Sequence, residues 1–216
     1  MQIGILGATG PAGRGLAARL ASVGHEVLFG SRDAAKAALV VDELHDRWGE
    51  RVDSLVAVDN ARACAAPVAI LAVTADAAIP TATEHRERLS GRIVVSMANH
   101  LVRRGDEFNA VLPPNGSVAA ELQALLPESE VATAFHLLPA AELGELDHAM
   151  ASDVVVLGDD ADAVGTLCEI VRGIPDLRAF DGGSLANAVG METFAAILLT
   201  INIKNKARAS LRLTGV

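Results

Sequence analysis

Tyrosine is absent from this 216-residue chain, tryptophan occurs once, and aromatic residues make up only 3% of it. Without tyrosine there is no phenolic acid or base. So few rings also exclude an extended stacking platform for single-stranded nucleic acid. Basic residues are in the minority, 18 against 27 acidic, and the formal net charge is -9. A chain of that sign has no overall attraction for nucleic acid or for an anionic membrane. Cysteine occurs twice, at Cys64 and Cys168, and no CxxC pair exists, so the spacing of a structural zinc site is missing. Both cysteines stand in apolar surroundings and read as buried free thiols, which suits a reducing cytoplasm. No unbroken apolar run approaches ~20 residues, so no membrane-spanning helix is expected. The N-terminus carries no basic leader and runs directly into a strand pattern. Internal repeats and low-complexity tracts are also missing.

Aliphatic residues fill the gap left by the rings. Hydrophobic residues make up 51% of the chain, and the core must be built of Ala, Val, Leu and Ile. Short Val/Ile/Leu runs alternate with longer Ala-rich stretches of helical spacing. The pattern predicts strands at 2–6, 26–30, 54–58, 67–73, 92–96, 130–135, 153–157 and 177–180. It predicts helices at 12–23, 33–48, 59–65, 76–89, 117–125, 160–172 and 184–212. The first five strands have few polar interruptions, as expected of strands buried on both faces of a parallel sheet. Residues 99–117 hold Gly105-Asp106 and Pro113-Pro114-Asn115-Gly116 and read as a long loop.

Gly7-Ala8-Thr9-Gly10-Pro11-Ala12-Gly13 follows the first strand and opens the first helix. Glycines there permit a tight turn and a close approach of backbone to a pyrophosphate, and the helix N-terminus supplies N–H donors. Pro11 fits the first helical turn, where its missing N–H costs little. The amides of Thr9, Gly10, Ala12 and Gly13 and the Thr9 hydroxyl are the expected donors. Placed within a strand–helix–strand unit of about 30 residues, the motif reads as a dinucleotide site.

The second strand ends in Gly30-Ser31-Arg32, where a carboxylate would stand in an NAD site. Arg32, Ser31 and Lys36, one helical turn on, instead offer donors to a 2′-phosphate, so NADP is the expected cofactor. Asp33 reads as a helix N-cap. The architecture expected is α/β: a Rossmann-type doubly wound parallel sheet over residues 1–138, then a small C-terminal α/β extension over 139–216 that ends in a long helix. Val73 after the fourth strand, Ser96 and Met97 after the fifth, and His136 after the sixth lie at the carboxyl edge, where ligands of such sheets bind. His136 is either an orienting group for a second substrate or a packed histidine. No side chain is needed as a catalytic nucleophile, and no metal ligands are found.

The final helix is apolar on much of its surface, which suits packing on the sheet or a homodimer interface. Ser184 is placed to cap it. Lys204, Lys206, Arg208 and Arg212 follow without a carboxylate among them. They read either as cations complementing a helix C-terminus or as an anion-binding patch.

Residues 7–32 with Lys36, the stretch TAFHLLPAAELGELD at 133–147, Gly158-Asp159-Asp160, and RAFDGGSLANAVGMETFAAILL at 178–199 together resemble the F420H2:NADP oxidoreductases, also called NADPH-dependent F420 reductases. The resemblance spans nearly the whole chain. It implies direct hydride transfer between NADP(H) and the deazaflavin coenzyme F420. Thr9, Ser31, Arg32 and Lys36 would hold the NADP phosphates, and His136, Leu138 and Ala140 would meet the nicotinamide and the deazaflavin. Members of the family often carry a Pro-Trp pair where this chain has Val73-Thr74-Ala75-Asp76. They often carry a Pro-rich turn where it has Met97-Ala98-Asn99-His100, and an arginine where it has Val189. A reductase of another small acceptor, such as an imine, a ketone or a metal chelate, and a non-catalytic NADPH-binding module are the other readings. The implied partners are small molecules, with no nucleic acid, no membrane, and a homodimer through the last helix.

Overall fold

The computed structural model describes residues 1–216. Eight strands share one sheet: β1 (Gln2–Leu6), β2 (Glu26–Ser31), β3 (Leu55–Asp59), β4 (Val68–Leu71), β5 (Ile93–Ser96), β8 (Glu130–Thr133), β9 (Ser152–Gly158) and β10 (Leu177–Asp181). The spatial order is β10-β9-β8-β5-β4-β1-β2-β3. All neighbours run parallel except β8 and β9, which are antiparallel. The expected doubly wound sheet is present, and it continues past residue 139 through β9 and β10. Alternate residues on each strand point to opposite faces. Ile3, Ile5, Val27, Phe29, Val68 and Ile70 pack into one apolar cluster. Leu6, Leu28, Ala69 and Leu71 pack into a second. Both faces are therefore covered, which is why the strands read as continuous apolar runs.

After β1 the chain lays β2 and β3 to one side and β4 to the other. That reversal opens a crevice beyond the carboxyl ends of β1 and β4. Helix α1 (Pro11–Ser22) starts at its mouth. Its seat is tight: a Cβ on Gly13 would lie 2.9 Å from the Gly7 carbonyl oxygen, and one on Gly15 would lie 2.7 Å from the Gly144 nitrogen. Arg19, on the buried face of α1, makes the other contact. Its guanidinium donates to the carbonyl oxygens of Leu143 at 3.0 Å, Glu142 at 2.7 Å, Glu145 at 2.7 Å and His148 at 3.1 Å. These bonds dock α7 (Ala140–Leu143) and the turn after it against α1.

Helices α2 (Ala34–Trp48) and α6 (Val118–Leu125) start close to expectation, capped by Asp33 and Ser117. The predicted helix at 76–89 divides at His85 into α4 (Ala75–Glu84) and α5 (Arg86–Leu89). The loop reading of 99–117 is corrected by a hairpin, β6 (Leu101–Arg104) and β7 (Glu107–Ala110), joined through Gly105-Asp106. Neither strand has a buried face, so no periodicity betrayed it, although Gly-Asp between two short runs is a two-residue hairpin signal. The hairpin packs on α9 (Ala188–Asn205), with the Thr200 hydroxyl accepting from the Phe108 N–H at 2.9 Å.

The last helix ends seven residues before the expected 212. Lys206 adopts φ +50°, a left-handed stop, and the remaining residues form a tail without regular secondary structure. Asp153 holds that tail: its backbone N–H donates to the Leu211 carbonyl at 2.9 Å, and its carboxylate accepts from Arg178 and Arg212. Ser184 makes no capping bond, and Asp159 accepts from the Leu185 N–H instead, at 3.0 Å. Residues 185–205 have a mean hydropathy of 1.4, long and apolar enough by composition to cross a membrane. The sequence is expected to hold no unbroken apolar run of ~20 residues, and this segment is not one, although its mean hydropathy reaches the spanning range. Glu192 and several Thr and Asn interrupt the apolar run without lowering its mean far enough. Here the segment packs on β7 and on the start of α6.

Replacing Arg19 with Met should leave four carbonyls without their donor. The loss should cost about 2–3 kcal/mol and lower the thermal midpoint by roughly 5–10 °C. Calorimetry on Arg19→Met against the parent chain checks this. An unchanged midpoint would show that the α7 segment is held by other means.

Candidate functional site

The chain turns from β1 into α1 through Gly7, whose φ of +74° suits only glycine. A Cβ there would also lie 2.6 Å from Val73 Cγ1, so Val73 packs directly over the turn. The Asn60 carboxamide oxygen accepts from the Gly7 N–H at 3.4 Å, a support that sequence inspection missed. The Gly10 N–H closes the turn on the Gly7 carbonyl at 3.1 Å, so it does not serve as a free phosphate donor. The N–H groups of Thr9, Ala12 and Gly13 have no partner in the chain, and Pro11 has none to offer. No side chain caps α1, and its first turn holds no acidic residue. A Cβ added at Gly10 would make only an ordinary contact, 3.5 Å from the Gly7 carbonyl oxygen. The arrangement is a cradle of free amides at a positive dipole end, and it fits a pyrophosphate.

Ser31 is buried at the end of β2, and its Oγ accepts from the Asp33 N–H at 3.2 Å, leaving the hydroxyl proton free to donate. Asp33 accepts from the N–H groups of Ala35 and Lys36, so this carboxylate is engaged in capping. Arg32 and Lys36 are exposed and form no ion pair. The basic tail is different. Lys204 pairs with Glu107, Arg208 with Glu142 and Arg212 with Asp153. The reading of that tail as an open anion patch is corrected: carboxylates distant in sequence neutralise three of its four cations.

A crevice of about 220 Å³ is lined by Ala12, Met97, Asn99, His136, Leu138 and Ala140. The expected residues Ala12, Met97, His136, Leu138 and Ala140 thus meet in one place. The opposite wall comes from α9, through Ala195, Leu198 and Asn202, and from Ala209 of the tail. Sequence reasoning missed this wall, since small and aliphatic residues on a long helix read only as packing. Ser96 lies below the crevice: it is fully buried, and its Oγ accepts from the Ala98 N–H at 3.3 Å.

Phe135 presents His136 to the crevice. Its φ of +64° is a left-handed conformation that costs a non-glycine residue roughly 1–2 kcal/mol. The surrounding bonds fix the imidazole. Thr133 donates its single hydroxyl proton to the Ser96 carbonyl oxygen at 3.1 Å, so at 3.0 Å from His136 Nδ1 it acts as acceptor. Nδ1 therefore carries the proton and Nε2 is a bare acceptor. Burial pushes the imidazole pKa down to about 4, and the ring is neutral near pH 7. It can orient a donor but not supply charge.

Residues 2–100 match the family described as NADP oxidoreductase, coenzyme F420-dependent. Over the full length, the chain is 34% identical to the F420-dependent NADP reductase of Methanocaldococcus jannaschii, covering 100% of this chain and 99% of the relative. It is 33% identical to the enzyme of the same name from Methanothermobacter marburgensis, with the same coverage. The chain belongs to the F420-dependent NADP reductase family. Its fold agrees: a crystal structure from Arthrobacter sp. FB24, provisionally named an F420-dependent NADP-reductase, superposes with a TM-score of 0.80 at 24% identity over 95% of each chain.

Neutral, buried His136 ties stability to pH. Its folded pKa of about 4 lies below the ordinary 6.5, so the unfolded chain binds the proton more readily. This contribution should be complete above pH 6.5 and lost as pH falls toward 4, by up to about 3 kcal/mol. Urea midpoints measured across that range check the slope, and His136→Gln should flatten it. A profile identical in both proteins would refute the assignment.

Proposed function

We propose that this chain transfers hydride between NADP(H) and coenzyme F420. The observation that carries this reading is continuity: one crevice is lined both by Ala12, on the free-amide turn, and by the His136 segment. A dinucleotide held by its pyrophosphate at that turn would project its nicotinamide along the apolar crevice. The two coenzymes supply the redox chemistry when bound, one giving and the other receiving the hydride. The chain supplies the rest. The amides of Thr9, Ala12 and Gly13 hold the pyrophosphate, and Ser31, Arg32 and Lys36 receive the 2′-phosphate. Leu138, Ala140 and the α9 wall exclude water from the rings and hold them face to face, which is where proximity lowers the barrier. Residues 1–138 then serve as the NADP side and residues 139–216 as the F420 side.

A second copy of the chain is the occupant we infer for the outer surface of α9, where Ile197 and Ile201 are exposed. Ile197 and Ile201 are one helical turn apart and form a continuous apolar strip. Two buried thiols and no disulfide support a cytoplasmic setting.

Mixing the protein with NADPH and oxidised F420 should bleach the deazaflavin absorbance in proportion to NADPH consumed. Tight NADPH binding without bleaching would reject the acceptor, and turnover with an imine, ketone or metal chelate would replace it. Arg32→Ala should raise the Kd for NADPH about 10- to 100-fold, the scale of one or two lost charge-assisted bonds, and leave that for NADH unchanged. Equal loss for both coenzymes would contradict a 2′-phosphate contact.

A further inference from the structure

The proposed reaction sets two rings face to face, yet the crevice has a volume of only about 220 Å³. Sites for one small-molecule ligand run roughly 300–1,000 Å³. A nicotinamide and a tricyclic deazaflavin together therefore need a wall to give way. Three walls are built into the body of the fold. Ala12 rides on α1, which Gly13, Gly15 and Arg19 seat. The His136 segment is held by Asn99, whose Nδ2 donates to the His136 carbonyl at 2.8 Å, and by Thr133. On α9, buried Glu192 accepts from the Val118 and Ala119 N–H groups at 2.8 and 3.1 Å and locks the helix to the start of α6. The fourth wall is Ala209, in the tail. No residue from Lys206 to Val216 is buried, and none lies in a helix or strand. The tail covers a stretch of β9 that β8 leaves bare, because β8 pairs with β9 only through Ala132 and Thr133. A short series of polar bonds holds it there. The Ala209 N–H donates to Asn202 Oδ1 at 2.6 Å, and Arg208 pairs with Glu142 at 2.8 Å. The Ser210 and Ser152 hydroxyls meet at 2.6 Å, the Leu211 carbonyl accepts from the Asp153 N–H, and the Leu213 N–H donates to the Asp153 carboxylate.

We propose that residues 207–213 are a strap across the crevice that must lift from β9 to admit the second ring beside a bound NADP(H). The inference rests on the hydride-transfer reading above. Two features make the strap separable from the body. Its link to α7 is the Arg208–Glu142 pair, whose arginine is exposed, and exposed pairs contribute little. Its link to β9 can break without stranding a charge. Arg178 belongs to β10 and holds both oxygens of Asp153, at 2.8 and 2.7 Å, so the buried carboxylate keeps its partner when the strap leaves. A segment with no buried residue and few bonds opens well below the free energy of global unfolding.

A disulfide lock tests the strap. The double variant Ser152→Cys, Ser210→Cys places two thiols where the hydroxyls now touch, within reach of a disulfide, and the native Cys64 and Cys168 are buried. Oxidised F420 is titrated into protein saturated with NADP+, a pair between which no hydride can pass. The disulfide form should bind F420 at least about tenfold more weakly than the same protein after reduction, with the affinity for NADP+ unchanged. Equal F420 affinity in the two forms would overturn the proposal, as would an equal loss of NADP+ affinity, which would mean that the lock distorts the whole crevice. Hydrogen exchange on the parent protein checks the opening without any variant. The Asp153 amide, which the strap covers, should exchange at least about a hundredfold faster than the Val95 amide in β5. Equal protection of the two would show that the strap opens only when the protein unfolds, and would overturn the proposal. A reduced protein that binds NADP+ but no F420 would refute the acceptor reading itself, and this inference with it.

Discussion

The seat of α1 is the constraint on which the rest of the site depends. At its N-terminal end, Gly7 and Gly13 bring helix and strand closer than any side chain would allow. That approach leaves the amides of Thr9, Ala12 and Gly13 at the carboxyl edge of the sheet without partners. At its other end, Gly15 and Arg19 take hold of residues 142–148. One helix thus fixes both the phosphate cradle and the segment that follows the His136 turn. A shift of α1 would move the two ends of the crevice relative to each other, and ring-to-ring transfer tolerates little misplacement.

The site divides its labour along that axis. The end proposed for the phosphates is electrostatic, with Arg32 and Lys36 unpaired and exposed. The ring end is apolar and neutral, and burial keeps even its histidine uncharged. The cations of the tail stand outside this scheme. Their carboxylate partners, Glu107, Glu142 and Asp153, come from three separate parts of the chain, so these pairs fasten the C-terminus to the body. Exposed pairs of this kind contribute little individually. Asp153 is the exception: its side chain is fully buried, and it binds the tail through both backbone and carboxylate.

Much of this was legible in the sequence, for a physical reason. β1, β2, β4 and β5 are buried on both faces, so their central residues are apolar, with polar residues such as Gln2, Glu26 and Ser96 only at strand ends. The glycine turn, Pro11 and the Ser31-Arg32-Lys36 group are local features, readable from adjacent residues. What escaped is what depends on distance. The β6–β7 hairpin lies on the surface and has no apolar face to announce it. The last helix stops at a left-handed Lys206, and the tail beyond it is held by Asp153, more than fifty residues earlier. Asn99 looked like a loop residue because its significance lies in the bond it donates to the His136 carbonyl, 37 residues away in sequence. The α9 wall is likewise invisible until the helix is laid across the sheet edge.

A crystal structure of the protein with bound NADP+ tests the account most directly. The account predicts the pyrophosphate within hydrogen-bond distance of the Thr9, Ala12 and Gly13 amides, the 2′-phosphate on Ser31, Arg32 and Lys36, and the nicotinamide in the crevice beside His136. A dinucleotide bound away from the α1 N-terminus, or one whose nicotinamide lies outside the crevice, would contradict it.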